Sequence, residues 1–305
     1  MKRIGLICGG FSSEYDISIK SAQTIQEHFP AHLVCIRIEI NRENWQEKLL
    51  SAKDIDAALI YTHGDPGENG KIQAYLDMLG IPYVNSGMLA SALSFDKWYC
   101  NQFLKGFGFE VAQSVLFHKG ENINAAQLVE KLGLPLFVKP ADSGSSFGIS
   151  KVKTLAEVQP AFELAFKEGR SVVAEAFLNG TEVTCGVYRN TEGLVALPLT
   201  EIVSETEFFD YAAKYNGKSQ EITPARIDQA LTEKVQIEAK GIYEILGLRG
   251  IARIDFMLVE QQAFVIEVNT TPGFSPASIV PQMLSTAGIA IREFWSQIIK
   301  VELDM

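Results

Sequence analysis

Two apolar runs, IARIDFMLV (251–259) and AFVIEVN (263–269), constrain this chain more than any other feature. Both are rich in β-branched and aromatic residues and read as strands. The connection between them is too short for a crossover, so they run antiparallel. Side chains of a strand alternate faces, which puts Arg253 and Asp255 on one side and Glu267 and Asn269 on one side. A three-residue loop would pair Val259 with Ala263. Asp255 then lies opposite Glu267 and Arg253 opposite Asn269, while Ile254, Phe256, Ile266 and Val268 pack the other face. A sheet with one wet face would explain such alternation without chemistry.

Upstream, RIGLICGG, HLVCIRIEI and DAALIYTHG read as strands. Helical stretches run from Asp16 to Phe29, around Trp45 to Leu50, and along ENGKIQAYLDMLG. This β-α-β-α alternation predicts a parallel sheet with helices on its faces and ligands at the strand ends, where Gly9-Gly10 and His63-Gly64 fall. From about Ser86 the pattern changes. GMLASALSFDKWYCNQFLKGFG is helical with Asp96 as an internal N-cap, and AAQLVEKLG is a short helix stopped by Gly133. LPLFVKP and ISKVK are strands joined by a Ser/Gly loop. TLAEVQPAFELAFKEG opens on a capping box, Thr154 and Glu157, and Pro160 should kink that helix or shift its start. SVVAEAF, TEVTCGVYR and LVALPLTEI are strands, and DQALTEKVQIEAKGIYEILG is a long helix. Residues 204–226 lack a clear period, yet Phe208, Phe209, Tyr211 and Tyr215 argue against disorder, so this segment is expected to be a lid.

The 305 residues leave room for two or three domains, and a formal net charge of −10 argues against a nucleic-acid or anionic-membrane partner. No apolar window approaches the ~18 residues of a membrane span, and MKRIGLICGG is too short a run for a signal peptide. Cys8, Cys35, Cys100 and Cys185 are widely spaced, as expected of reduced thiols in the cytoplasm. His28, His32, His63 and His118 lack metal-ligand spacing, which argues against zinc.

The chemistry-bearing residues are elsewhere. Hard oxygens from Asp255, Glu267 and Asn269 suit Mg²⁺, which is typically shared with nucleotide phosphates. DSGSSFG (142–148) can present backbone N–H groups to phosphate, and Lys139 in FVKP adds a cation at the same end. Lys97, Lys214 and Arg253 could complete an anion pocket. Such a pocket has a purpose where a carboxylate meets a phosphate, because like charges ~4 Å apart repel by roughly 4 kcal/mol at an effective dielectric of 20. No Walker A loop is present: GDPGENGK (64–71) has the wrong spacing, and NGKS (216–219) has Ala212 where the first Gly belongs. Glu14, in FSSEYDIS, either compensates a helix N-terminus or grips a substrate ammonium.

Taken together these motifs resemble the D-alanine–D-alanine ligases of the ATP-grasp superfamily. The resemblance runs through GGFSSEYDIS, THGDPGENGKIQ, GIPYVNSGMLASALSFDK, FVKPADSGSSFGISKV, AEAFLNGTEVT, EFFDYAAKYNG, GIARIDF and EVNTTPGFSPAS. It implies an α/β ATP-grasp fold. An N-terminal parallel-sheet domain (1–96) would hold substrate, followed by a small central domain (97–180). A C-terminal domain (181–305) with a mixed or antiparallel sheet would carry the metals and the lid. Lys97 and Lys139 match phosphate-binding lysines, and Ser143, Gly144 and Ser146 the phosphate-covering loop. Glu175, Ala176, Phe177 and Leu178 match the adenine segment, Glu182 the ribose contact, and Asp255, Glu267 and Asn269 the ligands of two Mg²⁺ ions, for which Mn²⁺ can stand in. Glu14, with Ser145 and Tyr215 as hydrogen-bonded partners, matches the grip on the first D-alanine, with His63 nearby. Arg253 and Gly273 match the oxyanion site, and Lys214 and Ser278 the carboxylate site of the second D-alanine.

The reaction implied is ATP-dependent joining of two D-alanines through an acyl phosphate, for peptidoglycan, by a cytoplasmic homodimer. A relative of this kind can instead take D-lactate or D-serine second; the Lys214-Tyr215 pair points to D-alanine. Ala176 stands where many relatives have Lys, Phe209 where Tyr is common, and Tyr15 and Asp16 also depart from commoner choices.

Overall fold

The computed structural model describes residues 1–50, 54–142, 148–204 and 219–304. The first sheet forms as the alternation predicts. β1 (Arg3–Gly9), β2 (Val34–Ile40) and β3 (Ala57–Ile60) lie in the order β2-β1-β3, all parallel, with α1 (Tyr15–Glu27), α2 (Trp45–Leu50) and α3 (Lys71–Leu79) between or after them. The period of two shows in where β1 packs. Ile4, Leu6 and Cys8 join one core, and Ile7 joins another with Ile38, Ile60 and Leu76.

Next come α4 (Met88–Phe95) and α5 (Lys97–Gly106), divided by Asp96, whose carboxylate accepts the Trp98 and Tyr99 N–H groups as an N-cap. The second sheet is antiparallel, in the order β5-β8-β6-β7: β5 (Ser114–His118), β6 (Leu136–Pro140), β7 (Ser150–Val152) and β8 (Ser171–Ala176). β4 (Glu110–Val111), which the sequence reading passes over, joins a different sheet. α6 (Ala125–Leu132) and α7 (Val158–Glu168) complete this unit, with Phe162 and Ala165 packed on Val138 and Val172. The expected capping box is corrected. Thr154 makes no cap bond, and Glu157 reaches back to the Lys153 N–H at 2.7 Å. Pro160 shifts the start of α7 rather than kinking it: it sits in the first turn, where its missing N–H costs no helical bond.

The third sheet runs β12-β11-β9-β13-β14-β4, with β10 paired on β9. Its strands are β9 (Thr181–Asn190), β10 (Gly193–Ala196), β11 (Thr200–Ser204), β12 (Ser219–Ile222), β13 (Ile251–Val259) and β14 (Gln262–Asn269). α8 (Gln229–Ile245), α9 (Ile279–Thr286) and α10 (Ile291–Glu302) pack around it. The single strand expected over LVALPLTEI is two strands, because Pro198 between them has no N–H to donate.

The hairpin reaches its expected pairing by an unexpected route. Val259 pairs with Gln262, not Ala263, around a two-residue turn whose Glu260 and Gln261 have φ of 47° and 70°. A β-bulge at Ile266 then inserts one extra residue, so that Asp255 still faces Glu267 and Arg253 still faces Asn269. Ile266 therefore leaves the core and is half-buried, while Val265, 1% exposed, packs in its stead.

The first and third sheets share one core. Tyr61 and Trp295 meet edge to face at 5.7 Å, Phe274 packs on Trp295 at 4.9 Å, and the Tyr61 hydroxyl donates to the Pro272 carbonyl at 2.9 Å. Arg249 ties the start of β13 to the same body through Glu302, at 2.6 Å, and the Tyr83 carbonyl, at 3.0 Å. These contacts set the walls of the cleft between the sheets.

Candidate active site

A cleft of about 780 Å³ opens where the three sheets converge. Every described residue that the family resemblance assigns to the site lines it: Glu14, His63, Lys97, Lys139, Glu175, Ala176, Phe177, Leu178, Glu182, Arg253, Asp255, Glu267, Asn269, Gly273 and Ser278. Ser143, Gly144, Ser145, Ser146, Lys214 and Tyr215 lie outside the described residues, as does most of the expected lid.

β13 and β14 supply the charged wall. Arg253 holds Asp255 in a two-point ion pair, Nε to Oδ1 at 2.8 Å and Nη2 to Oδ2 at 2.7 Å. Thr184 donates to Asp255 Oδ1 at 2.5 Å and Asn269 Nδ2 to Oδ2 at 3.1 Å. Burial works against the Arg253 charge, but Asp255, Glu267 and Glu221 outweigh it and hold the guanidinium protonated more firmly than usual. Lys97 reaches Glu267 from the start of α5, Nζ to Oε2 at 3.6 Å. Two carboxylates and an amide oxygen on paired strands fit a hard cation. Mg²⁺ takes one or two carboxylates and completes its shell with waters and phosphate. Among the described residues no three His, Cys, Asp or Glu side chains gather as the closed cage a structural zinc would need.

The second sheet supplies the opposite wall. Lys139 on β6 and Glu175 on β8 pair at 2.5 Å, their side chains only 8% and 11% exposed. The Ala176 N–H is bonded to the Gln113 carbonyl at 2.9 Å. The chain then leaves the sheet, and Phe177 lies under the Lys151 ammonium, 4.1 Å from its ring centre, and 6.0 Å from Phe137. The Lys97 N–H donates to the Ala141 carbonyl at 2.9 Å, tying α5 to the end of β6.

The first sheet and the turn after β14 close the end. Glu14 caps α1 in position, yet its carboxylate makes no cap bond, which leaves it to the cleft. Ser12 fixes its backbone by accepting the Glu14 N–H at 3.2 Å and donating to the His63 carbonyl at 2.8 Å. His63 is buried, and burial lowers its pKa; Arg253 adds to that, while Glu14 and the Thr271 backbone oppose it. A Cβ on Gly273 would come within 3.1 Å of Ser278 Oγ, which itself accepts the Ser275 N–H at 3.0 Å.

Some cleft residues escaped the sequence reading. Glu68 accepts the Gly64 N–H at 2.7 Å and donates its own N–H to the Gly64 carbonyl at 2.8 Å. Burial first, then Glu14, pushes its carboxyl up to about 8. Glu221, bonded to Gln282 at 2.7 Å, and Thr184 were also missed. The available signal was the turn GDPGENG itself, which brings Glu68 into the cleft.

A family model described as "D-ala D-ala ligase C-terminus" matches residues 103–300. The D-alanine–D-alanine ligase of Parabacteroides distasonis is 44% identical, covering 99% of this chain and 98% of that protein. Its counterpart in Bacteroides fragilis is 43% identical over 98% of this chain and 99% of that protein. Among solved structures, the D-alanine–D-alanine ligase of Bacillus anthracis complexed with ATP superposes with a TM-score of 0.87 at 32% identity, covering 100% of this chain and 98% of that one. The VanG D-Ala:D-Ser ligase of Enterococcus faecalis gives 0.86 at 30% identity, covering 99% of each. Sequence and fold thus agree from end to end, and the chain belongs to the D-alanine–D-alanine ligase family.

Proposed function

We propose that this chain joins two molecules of D-alanine, consuming ATP, and so supplies D-alanyl-D-alanine for peptidoglycan precursors. The observation that carries this reading is the set of charges gathered in one cleft. Lys139 pairs with Glu175 beside Ala176 and Phe177, Lys97 pairs with Glu267 among the Asp255–Glu267–Asn269 oxygens, and Glu14, Arg253 and Gly273 line the same cleft. Phosphoryl transfer needs little from a protein beyond positioning and charge stabilisation.

In this reading Glu14 receives the ammonium of the first D-alanine and turns its carboxylate toward the phosphates. Lys97 and Lys139 screen the two anions from each other. Both lysines are already paired with carboxylates, so ATP would have to draw them from Glu267 and Glu175. Asp255, Glu267 and Asn269 would hold the divalent cations; when bound, these neutralise phosphate charge. The second D-alanine's amine would attack the acyl phosphate with its carboxylate at Ser278 and Lys214. Arg253 and the Gly273 N–H would receive the developing oxyanion. Segment 204–226 would close as a lid over the acyl phosphate, with Ser145 and Tyr215 locking it to Glu14. The division at 96/97 and 180/181 belongs to the same reading, and a cytoplasmic homodimer is proposed on family likeness alone.

The likeness to a D-Ala:D-Ser ligase supplies a second reading, in which D-serine is the second substrate. Phosphate release with ATP, Mg²⁺ and D-alanine tests both, with D-serine, D-lactate and L-alanine as alternatives. Release that needs only D-alanine, and falls at least a hundredfold in Glu267→Gln, is expected. Release only when D-serine is added would select the second reading.

A further inference from the structure

α1 turns Glu14, Ser18 and Ser21 to one side, at spacings of four and three residues. Ser18 and Ser21 are fully buried hydroxyls on a helix that also buries Ala22, Thr24 and Ile25. Buried hydroxyls need partners. Ser18 has local ones: it accepts the Gly9 N–H at 2.8 Å and donates to the Tyr61 carbonyl at 2.6 Å, pinning the helix to its own sheet.

Ser21 reaches further. Its Oγ accepts the Phe274 N–H at 3.1 Å and lies 3.2 Å from His63 Nε2. A serine hydroxyl has one hydrogen, and with Phe274 on a lone pair that hydrogen is left for Nε2. The Thr271 backbone acts on the ring in the sense that favours a proton there. Nε2 is thereby committed to Ser21. Ser21 itself is a strut that spans from α1, which carries Glu14, to the turn 271–274, which carries Gly273.

We propose that Ser21 and His63 are positioning residues that hold the Gly273 backbone at a fixed place relative to Glu14. The carboxylate that receives the first ammonium and the N–H that receives the oxyanion then keep their spacing while substrates and nucleotide come and go. This inference rests on the ligase reading above. The strut would act through preorganisation, where a shift of about 1 Å can cost on the order of a hundredfold in rate.

Three variants test it, each assayed by D-alanine-dependent phosphate release. Ser21→Ala removes the strut, Ser21→Cys keeps its volume with a weaker donor, and Ser18→Ala removes only the pin to the sheet. The expected result is a loss of tenfold or more in kcat/KM for D-alanine in Ser21→Ala, with KM for ATP unchanged within twofold. Ser21→Cys should fall between it and the parent, and Ser18→Ala should lower Tm but keep parental kinetics. The acid limb of kcat/KM should also move to higher pH in Ser21→Ala, because a bond to the neutral ring has been removed. The groups facing that ring are Glu14, Arg253, Ser21, Thr271 and Tyr61. Equal kcat/KM for D-alanine in Ser21→Ala and Ser18→Ala would overturn the inference. If Ser21→Ala does not fold, Ser21→Cys decides, and parental kinetics and an unmoved acid limb in it overturn the inference. An unmutated protein that releases no phosphate with D-alanine fails the ligase reading itself, a separate outcome.

Discussion

Glu68 is the residue whose chemistry is most altered by where the chain puts it. Its carboxyl holds a proton up to about pH 8, chiefly through burial and then through Glu14, against an ordinary 4.5. Between those two values the folded protein binds a proton that the unfolded chain has released. Stability therefore falls as pH rises from about 4.5 to about 8 and levels off above, as far as Glu68 is concerned. Glu68→Gln keeps an oxygen for the Gly64 N–H and removes the titration. It is expected to match the parent near pH 5 and to exceed it in urea midpoint by pH 8; parallel curves would refute this. Residue identities told much of this site in advance. Asp96 as a cap was legible because it follows from local rules of helix ends, whereas the Asp255–Glu267 opposition came from an assumed register whose one-residue error the bulge at Ile266 cancels. Glu68 and Ser21 were not legible, because their roles depend on what the fold brings against them: Gly64 and Glu14 for one, His63 and Phe274 for the other.

At the scale of elements, the β13–β14 hairpin carries the charged wall on an uncomfortable turn. Glu260 and Gln261 both adopt φ above +40°, a conformation that costs side-chain-bearing residues energy and that Asn-Gly adopts readily. The pair Glu260→Asn and Gln261→Gly is expected to stabilise the protein by about 0.5–1 kcal/mol, seen as a higher Tm with unchanged kcat. A lower Tm would show that these two side chains contribute contacts worth more than the strain. The same hairpin explains what alternation alone misses. Period-two reasoning assigns Ile266 to the core, but it counts residues on the assumption of an unbroken ladder, and a bulge is invisible to it. β4 was missed for a related cause: two residues are too few to show a period, and only pairing with Phe264 and Val265 defines them as strand.

For the whole molecule, the aromatic knot of Tyr61, Phe274, Phe294 and Trp295 is what joins the first sheet to the third. Trp295 is fully buried and touches the other three rings, so Trp295→Ala is expected to cost about 3–5 kcal/mol in chemical denaturation. It should raise KM for D-alanine more than KM for ATP, since it joins the first sheet to the third and leaves the Lys139 wall alone. Equal changes in both would mean that the knot supports the fold without setting the substrate end. The core around this knot also has a timetable. Ile4, Leu6 and Ile25 share it with Phe294, Trp295, Ile298 and Ile299, which a ribosome makes only after all of the intervening chain. The first sheet must wait through that interval with one greasy side uncovered. Such a nascent chain is a natural client for chaperones, and one stalled within the interval a natural substrate for proteases. Quality control of this enzyme would then be exercised on β1 by the arrival of α10.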